Sequence, residues 1–266
     1  AFNNSFHGRT YGSISTTGQP KYHKGFEPLL PGVDFAEFND IQSVKDKVTE
    51  ETCAILVEPI QAEGGIHVAS NEFLKKLREL CDERNMLLVF DEIQVGFGGT
   101  GKLWYFEHLP ITPDIVVFGK AIGGGYPIGV VIVNKKCTDI AKLRKIFWGG
   151  TFSANPTQLE LMINQLKKLE RLDFNLIQQN LESMCKYILE NIHLEALGYR
   201  IIRGNGFARI VKPNKKFIPS RGFLVKKTES EIELDKACKE NKIYISKNRL
   251  IFPSIFDIDN YINLKK

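Results

Sequence analysis

The stretch Leu87–Gly129 constrains the fold of this chain more than any other. It holds two runs of apolar residues, 87–90 and 115–118, and each is followed by a charged side chain. Asp91 comes directly after the first run, and Lys120 comes one glycine after the second. A short apolar run between polar residues is typical of a buried strand. The pattern therefore predicts two strands that present a carboxylate and an amine where they end.

The surroundings of Lys120 indicate a chemical role for its amine. Apolar residues precede it, and three glycines follow at 123–125. In an apolar environment the ammonium form of a lysine is disfavoured, so its amine becomes a nucleophile that can form a Schiff base. The alternative is a lysine whose amine reaches water from a strand end. For Asp91 the alternative is a helix cap or a turn residue.

A strand, a helix and a second strand precede Asp91 in order. Residues 53–57 predict a buried strand, and 71–85 an amphipathic helix that Ser70 or Asn71 can cap. The apolar positions of the helix recur at helical spacing, at Phe73, Leu74, Leu77, Leu80 and Cys81. This order predicts a βαβ unit, and hence an α/β fold with a mostly parallel sheet covered by helices.

Polar side chains follow several of these apolar runs and are expected to meet at one edge of the sheet. They are Glu58, Glu63, Asp91, Gln94 and Lys120. Sites in parallel sheets form beyond the carboxyl ends of the strands. The pattern therefore places a candidate active site at that edge.

Composition argues against several other classes. The net charge of +5 is mild, and no nucleic-acid-binding motif accompanies it. The apolar run 115–133 contains Lys120, three glycines and Pro127, which favours two strands over a membrane span. Five histidines show no metal-ligand spacing, so no metal site is predicted. Five cysteines without a C-x-x-C pair indicate reduced thiols in an intracellular protein. A cytoplasmic location is expected, with a mitochondrial one as the alternative if a transit segment lies in the missing N-terminal part.

Separated motifs resemble one known family. Asp91-Glu92-Ile93-Gln94, Pro113-Asp114-Ile115 and Gly119-Lys120 match the core of class III (ornithine-type) aminotransferases, and Lys120 follows Asp91 by the family's 29 positions (120 minus 91). Phe6-His7-Gly8-Arg9-Thr10 resembles the family's F-H-G-R-T signature. The likeness covers almost the whole chain, and around residues 9–31 it is closest to acetylornithine aminotransferases. It implies a fold type I enzyme that uses pyridoxal 5′-phosphate (PLP).

The resemblance also assigns roles around the cofactor. It implies that Lys120 forms a Schiff base with PLP and later moves a proton as general base. Asp91 is expected to pair with the protonated pyridine nitrogen, and Gln94 to bind the ring oxygen. Phe6 and Ile93 are expected on opposite faces of the ring, Phe6 otherwise being an ordinary core residue.

Further residues are implied for the substrate and for a partner subunit. Arg9 is expected to hold the substrate α-carboxylate, and Glu63 to pair with a second substrate-binding arginine. Arg249 is the candidate for that arginine. Thr151 is expected to bind the phosphate of a cofactor held by a partner subunit, which implies a homodimer with shared sites. The alternatives are a surface arginine for Arg9, a solvated loop residue for Glu63, an exposed strand end for Arg249 and a helix entry at Thr151.

Some features depart from the family pattern. Gly99 stands where relatives usually have arginine, and Arg249 lies one position earlier than expected relative to Pro253. The chain does not begin with Met, and the family's phosphate loop at a helix start is not in it. The predicted function is transfer of an amino group between N-acetylornithine and 2-oxoglutarate. Ornithine, 4-aminobutyrate and glutamate-1-semialdehyde stay open as substrates, and a non-catalytic fragment or remnant of the fold is the competing hypothesis.

The chain is predicted to contain two domains. Residues 1–170 are expected to form a large PLP-binding domain that lacks its N-terminal segment, and 171–266 a smaller α+β domain. Helices are predicted over 156–192 with a break near Asp173. A hairpin over 199–212, a strand over 222–227, a helix over 229–241 and an edge strand over 243–245 follow.

Overall fold

The structure of this chain is a computed structural model. It describes residues 1–146, 149–204, 207–212, 228–241, 243 and 250–251. Arg249, the predicted strand over 222–227 and most of the predicted edge strand over 243–245 lie outside the described residues.

Short strands and helices are interspersed along the chain. The strands are β1 (Ala54–Val57), β2 (Ile60–Gln61), β3 (His67–Val68), β4 (Leu87–Asp91), β5 (Ile115–Phe118), β6 (Val130–Val133), β7 (Arg200–Gly204), β8 (Phe207–Val211) and β9 (Leu250–Ile251). The helices are α1 (Tyr11–Thr16), α2 (Ile41–Lys47), α3 (Asn71–Glu83), α4 (Lys135–Leu143), α5 (Pro156–Leu169), α6 (Phe174–Asn191) and α7 (Glu229–Glu240).

The main sheet has the strand order β1-β4-β5-β6. The pairs β1–β4 and β4–β5 are parallel, and β6 is antiparallel to β5. The predicted mostly parallel sheet is therefore confirmed. The second strand predicted within the run 115–133 forms as β6, but it is an edge strand and its Val131 and Ile132 side chains are 62% and 51% exposed.

The βαβ unit forms for the reasons expected from the sequence. The Ser70 hydroxyl accepts a hydrogen bond from the Phe73 N–H at 3.1 Å and caps the start of α3. The five apolar residues of the helix, Phe73, Leu74, Leu77, Leu80 and Cys81, are all buried. They pack against the sheet in one cluster with Val57, Leu88 and Phe90. Burial of this stripe fixes α3 across β1 and β4. Because these two strands pair in parallel, they end at the same edge of the sheet.

A second hydrophobic cluster is built from residues later in the chain. Leu181, Cys185 and Ile188 of α6 pack with β8 and with Leu234 and Cys238 of α7. The break predicted near Asp173 is confirmed, since α5 ends at Leu169 and the Asp173 carboxylate accepts a hydrogen bond from the Asn175 N–H at the start of α6. The hairpin is formed by β7 and β8. The exact boundary between two domains stays a prediction.

Candidate active site

Three ionisable side chains meet where β1, β4 and β5 end. Glu58 follows β1, Asp91 closes β4, and Lys120 follows β5 after Gly119. Burial raises the pKa of Glu58 well above its ordinary value, and Asp91 raises it further, while the Phe6 N–H and Lys120 lower it. Because β1, β4 and β5 pair in parallel, the residues that follow these strands lie at one edge of the sheet, as the sequence predicted.

Two hydrogen bonds hold the Asp91 carboxylate in a buried position. Asp91 Oδ2 lies 2.8 Å from Nδ1 of His7, and Oδ1 accepts the Ile93 N–H at 3.0 Å. Asp91 and His7 are each less than a tenth exposed. The buried carboxylate is thereby oriented by an imidazole and a backbone amide. His7 was not predicted as a site residue, although it follows Phe6 within the recognised motif.

Phe6 lies beside this carboxylate group. Its N–H donates to Glu58 Oε2 at 2.9 Å, and its ring contacts Tyr22 edge to face, with 5.3 Å between ring centroids. The next N–H, that of His7, donates to the Thr17 hydroxyl at 3.0 Å. These contacts fix an aromatic face near the strand ends. Glu58 therefore positions Phe6, a role that the sequence pattern did not reveal.

Lys120 begins a short 3₁₀ turn, Lys120–Gly123, directly after β5. Its Nζ donates to Gln94 Oε1 at 2.9 Å, so two predicted cofactor-binding residues are in contact. The backbone φ of Lys120 is +51°, a left-handed conformation that is uncommon for lysine. The expected apolar environment is not found in this chain, because the Lys120 side chain is exposed. The flanking apolar residues Val116, Phe118 and Ile122 are buried, whereas the Lys120 side chain in the turn is not.

Ile93 is positioned against the turn that carries Lys120. A Cβ added to Gly119 would lie 3.4 Å from Ile93 Cγ2, so the Ile93 side chain lies close to Gly119 and leaves little room for a larger residue there. Ile93 therefore presents an apolar side chain next to Lys120. On the other side of the turn, α5 packs against residues 120–124, and a Cβ on Gly124 would lie only 2.5 Å from Gln165 Nε2.

Arg9 lies near the aromatic pair of Phe6 and Tyr22, whereas Glu63 lies beside Arg209. The Arg9 guanidinium is exposed, and its Cζ lies 5.1 Å from the centroid of the Tyr22 ring. Glu63 Oε2 lies 4.0 Å from a guanidinium nitrogen of Arg209, whose side chain is fully buried. Burial lowers the pKa of Arg209 to about 10, and Glu63 opposes this shift.

Arg209 was missed by the sequence analysis. It lies in β8 between buried Ala208 and Ile210. The one available signal was a single charged residue within an apolar strand, because a fully buried arginine is rare unless it is paired. The structure thus places Arg209 beside Glu63, while the predicted role of Arg249 lies outside the described residues and stays a prediction.

Thr151 is exposed in a turn that precedes α5. Asn155, four positions later, caps the helix, because its side chain accepts hydrogen bonds from the Thr157 and Gln158 N–H groups. Among the described residues, no hydrogen bond joins Thr151 to Lys120 or Asp91. The helix-entry interpretation is therefore observed, and a role for Thr151 in a partner's site stays a prediction.

Within the residues that the structure describes, no three histidine, cysteine or acidic side chains cluster as metal ligands. In the same residues, no helix combines the length and the apolar character needed to cross a membrane.

The sequence matches the aminotransferase class-III family over residues 1–225. This match spans most of the chain and includes the site residues from Phe6 to Arg209, whereas Arg249 lies beyond it. The chain belongs to the class III aminotransferases.

Two relatives of this class III chain are both acetylornithine aminotransferases. It is 45% identical over 172 residues to the acetylornithine aminotransferase of Aquifex aeolicus, a match that covers 64% of this chain and 45% of the relative. It is 41% identical over 206 residues to the acetylornithine aminotransferase of Clostridium acetobutylicum, a match that covers 76% of this chain and 52% of the relative. The chain thus spans about half the length of these relatives.

Solved structures support the fold of this class III chain. The ornithine aminotransferase of Toxoplasma gondii matches with a TM-score of 0.75 at 25% identity, covering 94% of this chain and 58% of that one. An aminotransferase of Bacillus anthracis gives a TM-score of 0.78 at 24% identity, covering 99% and 66%. The predicted fold type I architecture is therefore confirmed.

Proposed function

We propose that this class III aminotransferase chain binds PLP at the edge where Asp91 and Lys120 meet, and that the whole protein transfers an amino group between N-acetylornithine and 2-oxoglutarate. The observation that carries the proposal is the joint placement of a primary amine, an oriented buried carboxylate and an aromatic face. The curated relatives named acetylornithine aminotransferase support the substrate. A related Toxoplasma gondii structure, 26% identical, is described with PLP at its active site.

The residues present fit this cofactor. Asp91, held by His7 and the Ile93 N–H, is a buried carboxylate suited to a protonated ring nitrogen. Phe6 and Ile93 supply apolar surfaces for a flat ring, and the Gln94 amide can donate to a ring oxygen. When bound, PLP supplies an electron sink for the charge that develops at the substrate carbon.

Each residue then has a defined task. Lys120 would hold the cofactor covalently through Nζ and, once displaced by the substrate amine, would move a proton with that same nitrogen. Gln94 already contacts Nζ and would orient it. His7 would keep Asp91 in place, so that the carboxylate stays aligned with the ring nitrogen. Arg9 would hold a substrate carboxylate through its planar guanidinium.

The assembly belongs to the same proposal. We infer a homodimer in which Thr151 of one subunit contributes to the site of the other, and the exposed position of Thr151 supports this inference. The separate hydrophobic clusters support a division into a large domain, 1–170, and a small domain, 171–266. The proposal also includes N-acetylornithine as the amino donor, 2-oxoglutarate as the amino acceptor and a cytoplasmic location.

The first experiment tests the cofactor site by covalent trapping. The purified protein is mixed with PLP, reduced with borohydride and digested, and the pyridoxyl mass is located among the peptides. We expect it on the Lys120 peptide, together with a visible absorption band before reduction. Lys120→Ala should lose both signals. Lys145→Ala is the matched control, because Lys145 is also exposed and has the same φ of +51°.

The outcome separates the two hypotheses. A pyridoxyl group on Lys120 that survives Lys145→Ala supports the cofactor site. Labelling spread over surface lysines, with no loss in Lys120→Ala, would contradict it and favour the non-catalytic alternative.

A further inference from the structure

Two buried carboxyl groups stand side by side at the edge where the strands end. The parallel register pairs Val57 of β1 with Phe90 of β4, so the next residues, Glu58 and Asp91, occupy neighbouring positions. Adjacent strands in a sheet are about 4.8 Å apart. Glu58 and Asp91 are 5% and 8% exposed, so water screens little of the interaction between them. The proposed function gives Asp91 a task but leaves the carboxyl group of Glu58 without one beyond its contact with Phe6.

Two consecutive residues, Phe6 and His7, contact these carboxyl groups. The Phe6 N–H donates to Glu58 Oε2 at 2.9 Å. His7 Nδ1 lies 2.8 Å from Asp91 Oδ2, and Asp91 Oδ1 also accepts the Ile93 N–H at 3.0 Å. Asp91 therefore has an imidazole and a backbone amide that stabilise a negative charge, whereas Glu58 accepts one backbone N–H among the described residues.

The surroundings of Glu58 disfavour its ionised form. Burial raises the pKa of Glu58 well above its ordinary value, and the negative charges of Asp91 and Glu63 raise it further. The Phe6 N–H and the positive charge of Lys120 act in the opposite direction. Two carboxyl groups that share a buried site do not both ionise readily, so one of them retains a proton. The hydrogen bonds at Asp91 favour its charged form, which leaves the proton on Glu58.

We propose that Glu58 is a positioning residue that keeps a proton at neutral pH, so that it holds Phe6 as a neutral acid and leaves Asp91 as the charged carboxylate of the pair. One negative charge, at a position fixed by His7 and Ile93, would then face the protonated ring nitrogen of PLP. This inference rests on the proposed function for its purpose, because the benefit to Asp91 requires a cation to bind there. The location of the proton is a property of the protein before PLP is added.

Infrared spectroscopy of the purified protein locates this proton, because a carboxylic acid and a carboxylate absorb at different frequencies. All spectra are recorded in the Glu92→Gln background, since the pKa of Glu92 is about 7 and its carboxyl group would add a band of its own at pH 7. We expect a carboxylic acid band at pH 7 that Glu58→Gln removes and Asp91→Asn retains. In Asp91→Asn the band should titrate at lower pH than before, because the neighbouring negative charge is gone. This shift decides the question even if Glu58→Gln does not fold, which circular dichroism checks.

Two substitutions of Glu58 measure the consequence for the cofactor. Glutamine resembles the protonated acid and still accepts the Phe6 N–H, so Glu58→Gln should bind PLP within about twofold of the unchanged protein. Glu58→Ala leaves that N–H unsatisfied and should weaken PLP binding about tenfold.

The possible results separate this inference from the proposed function. The inference is overturned if no carboxylic acid band is present at pH 7, if Asp91→Asn removes the band while Glu58→Gln does not, or if Glu58→Gln weakens PLP binding as much as Glu58→Ala. A failure of the unchanged protein to bind PLP on Lys120 would refute the proposed function instead, and the infrared spectra would still show which carboxyl group holds the proton.

Discussion

Asp114 connects three elements behind the site, and its removal should be costly. Its Oδ2 accepts hydrogen bonds from Arg78 Nη1 in α3 at 2.7 Å and from the Leu88 N–H in β4 at 2.8 Å. Its Oδ1 accepts from Asn134 Nδ2 at 2.7 Å. Asp114 thereby connects α3, β4 and the residue after β6. It also directly precedes β5, the strand that leads to Lys120.

The expected magnitude follows from these contacts. The side chains of Arg78 and Asp114 are 13% and 6% exposed, so their ion pair is largely buried. Removing one member of a buried pair leaves an uncompensated charge and costs about 3–5 kcal/mol. We therefore expect Asp114→Ala to lower the free energy of unfolding by about 3–5 kcal/mol. Asp114→Asn keeps the size and one acceptor, and should cost about 1–3 kcal/mol.

Urea denaturation followed by circular dichroism measures both variants. The control is Asp139→Ala, which breaks the exposed pair between Lys135 and Asp139 and should change the free energy of unfolding by less than about 1 kcal/mol. If Asp114→Ala costs no more than Asp139→Ala, the reasoning from burial and hydrogen bonding is refuted.

Acid should remove part of the difference between Asp114→Asn and the unchanged protein. Burial alone would raise the pKa of Asp114, but the hydrogen bonds from Leu88 and Arg78 and the charge of Arg78 hold it below its ordinary value. A carboxyl group with a depressed pKa stabilises the fold above its unfolded-state pKa, about 3.9, and loses this contribution as the pH falls through the folded-state pKa. The difference should therefore shrink at the lowest pH values at which the protein still folds.

Two further predictions concern residues that support the site. Burial raises the pKa of Glu92 to about 7, against hydrogen bonds from the Tyr105 and Phe106 N–H groups that lower it. The fold should then lose stability as the pH rises from about 4.5 to about 7. In urea denaturation, the free energy of unfolding of Glu92→Gln should therefore rise relative to that of the unchanged protein between pH 5 and pH 8. An equal difference at the two pH values would contradict this. A Cβ on Gly18 would lie 1.9 Å from the Phe2 carbonyl oxygen, so Gly18→Ala should lower the unfolding free energy by about 1–3 kcal/mol or more. Gly12 in α1 is the control, because its added Cβ would meet only Leu30 Cδ1, at 3.9 Å. Gly12→Ala should therefore be neutral or stabilising in thermal unfolding. Equal losses of stability in the two variants would refute the steric argument.

The local elements of this chain were predictable because their signals are local. Helix α3 begins at its Ser70 cap and buries a stripe that the apolar spacing already indicated. The apolar runs before Asp91 and Lys120 predicted strands, and parallel pairing then required both residues to meet at one edge. These features depend on periodicity, capping and strand length, which are properties of neighbouring residues.

Side-chain partners within the site needed the tertiary structure. His7 and Asp91 are 84 positions apart, and nothing in either local sequence specifies that their side chains meet. The same holds for Glu63 and Arg209, which come from a loop beside the main sheet and from a strand in the second cluster.

The environment of Lys120 shows the difference most directly. The sequence by itself determined that a lysine follows a buried strand and precedes glycines, and the family resemblance gave it a chemical role. Only the tertiary structure decided that its amine is exposed and contacts Gln94. Within a strand, side chains alternate between the two faces, so their directions follow from the sequence. After the strand ends, the direction of a side chain depends on the turn instead. Here that turn places Lys120 itself in a left-handed backbone conformation.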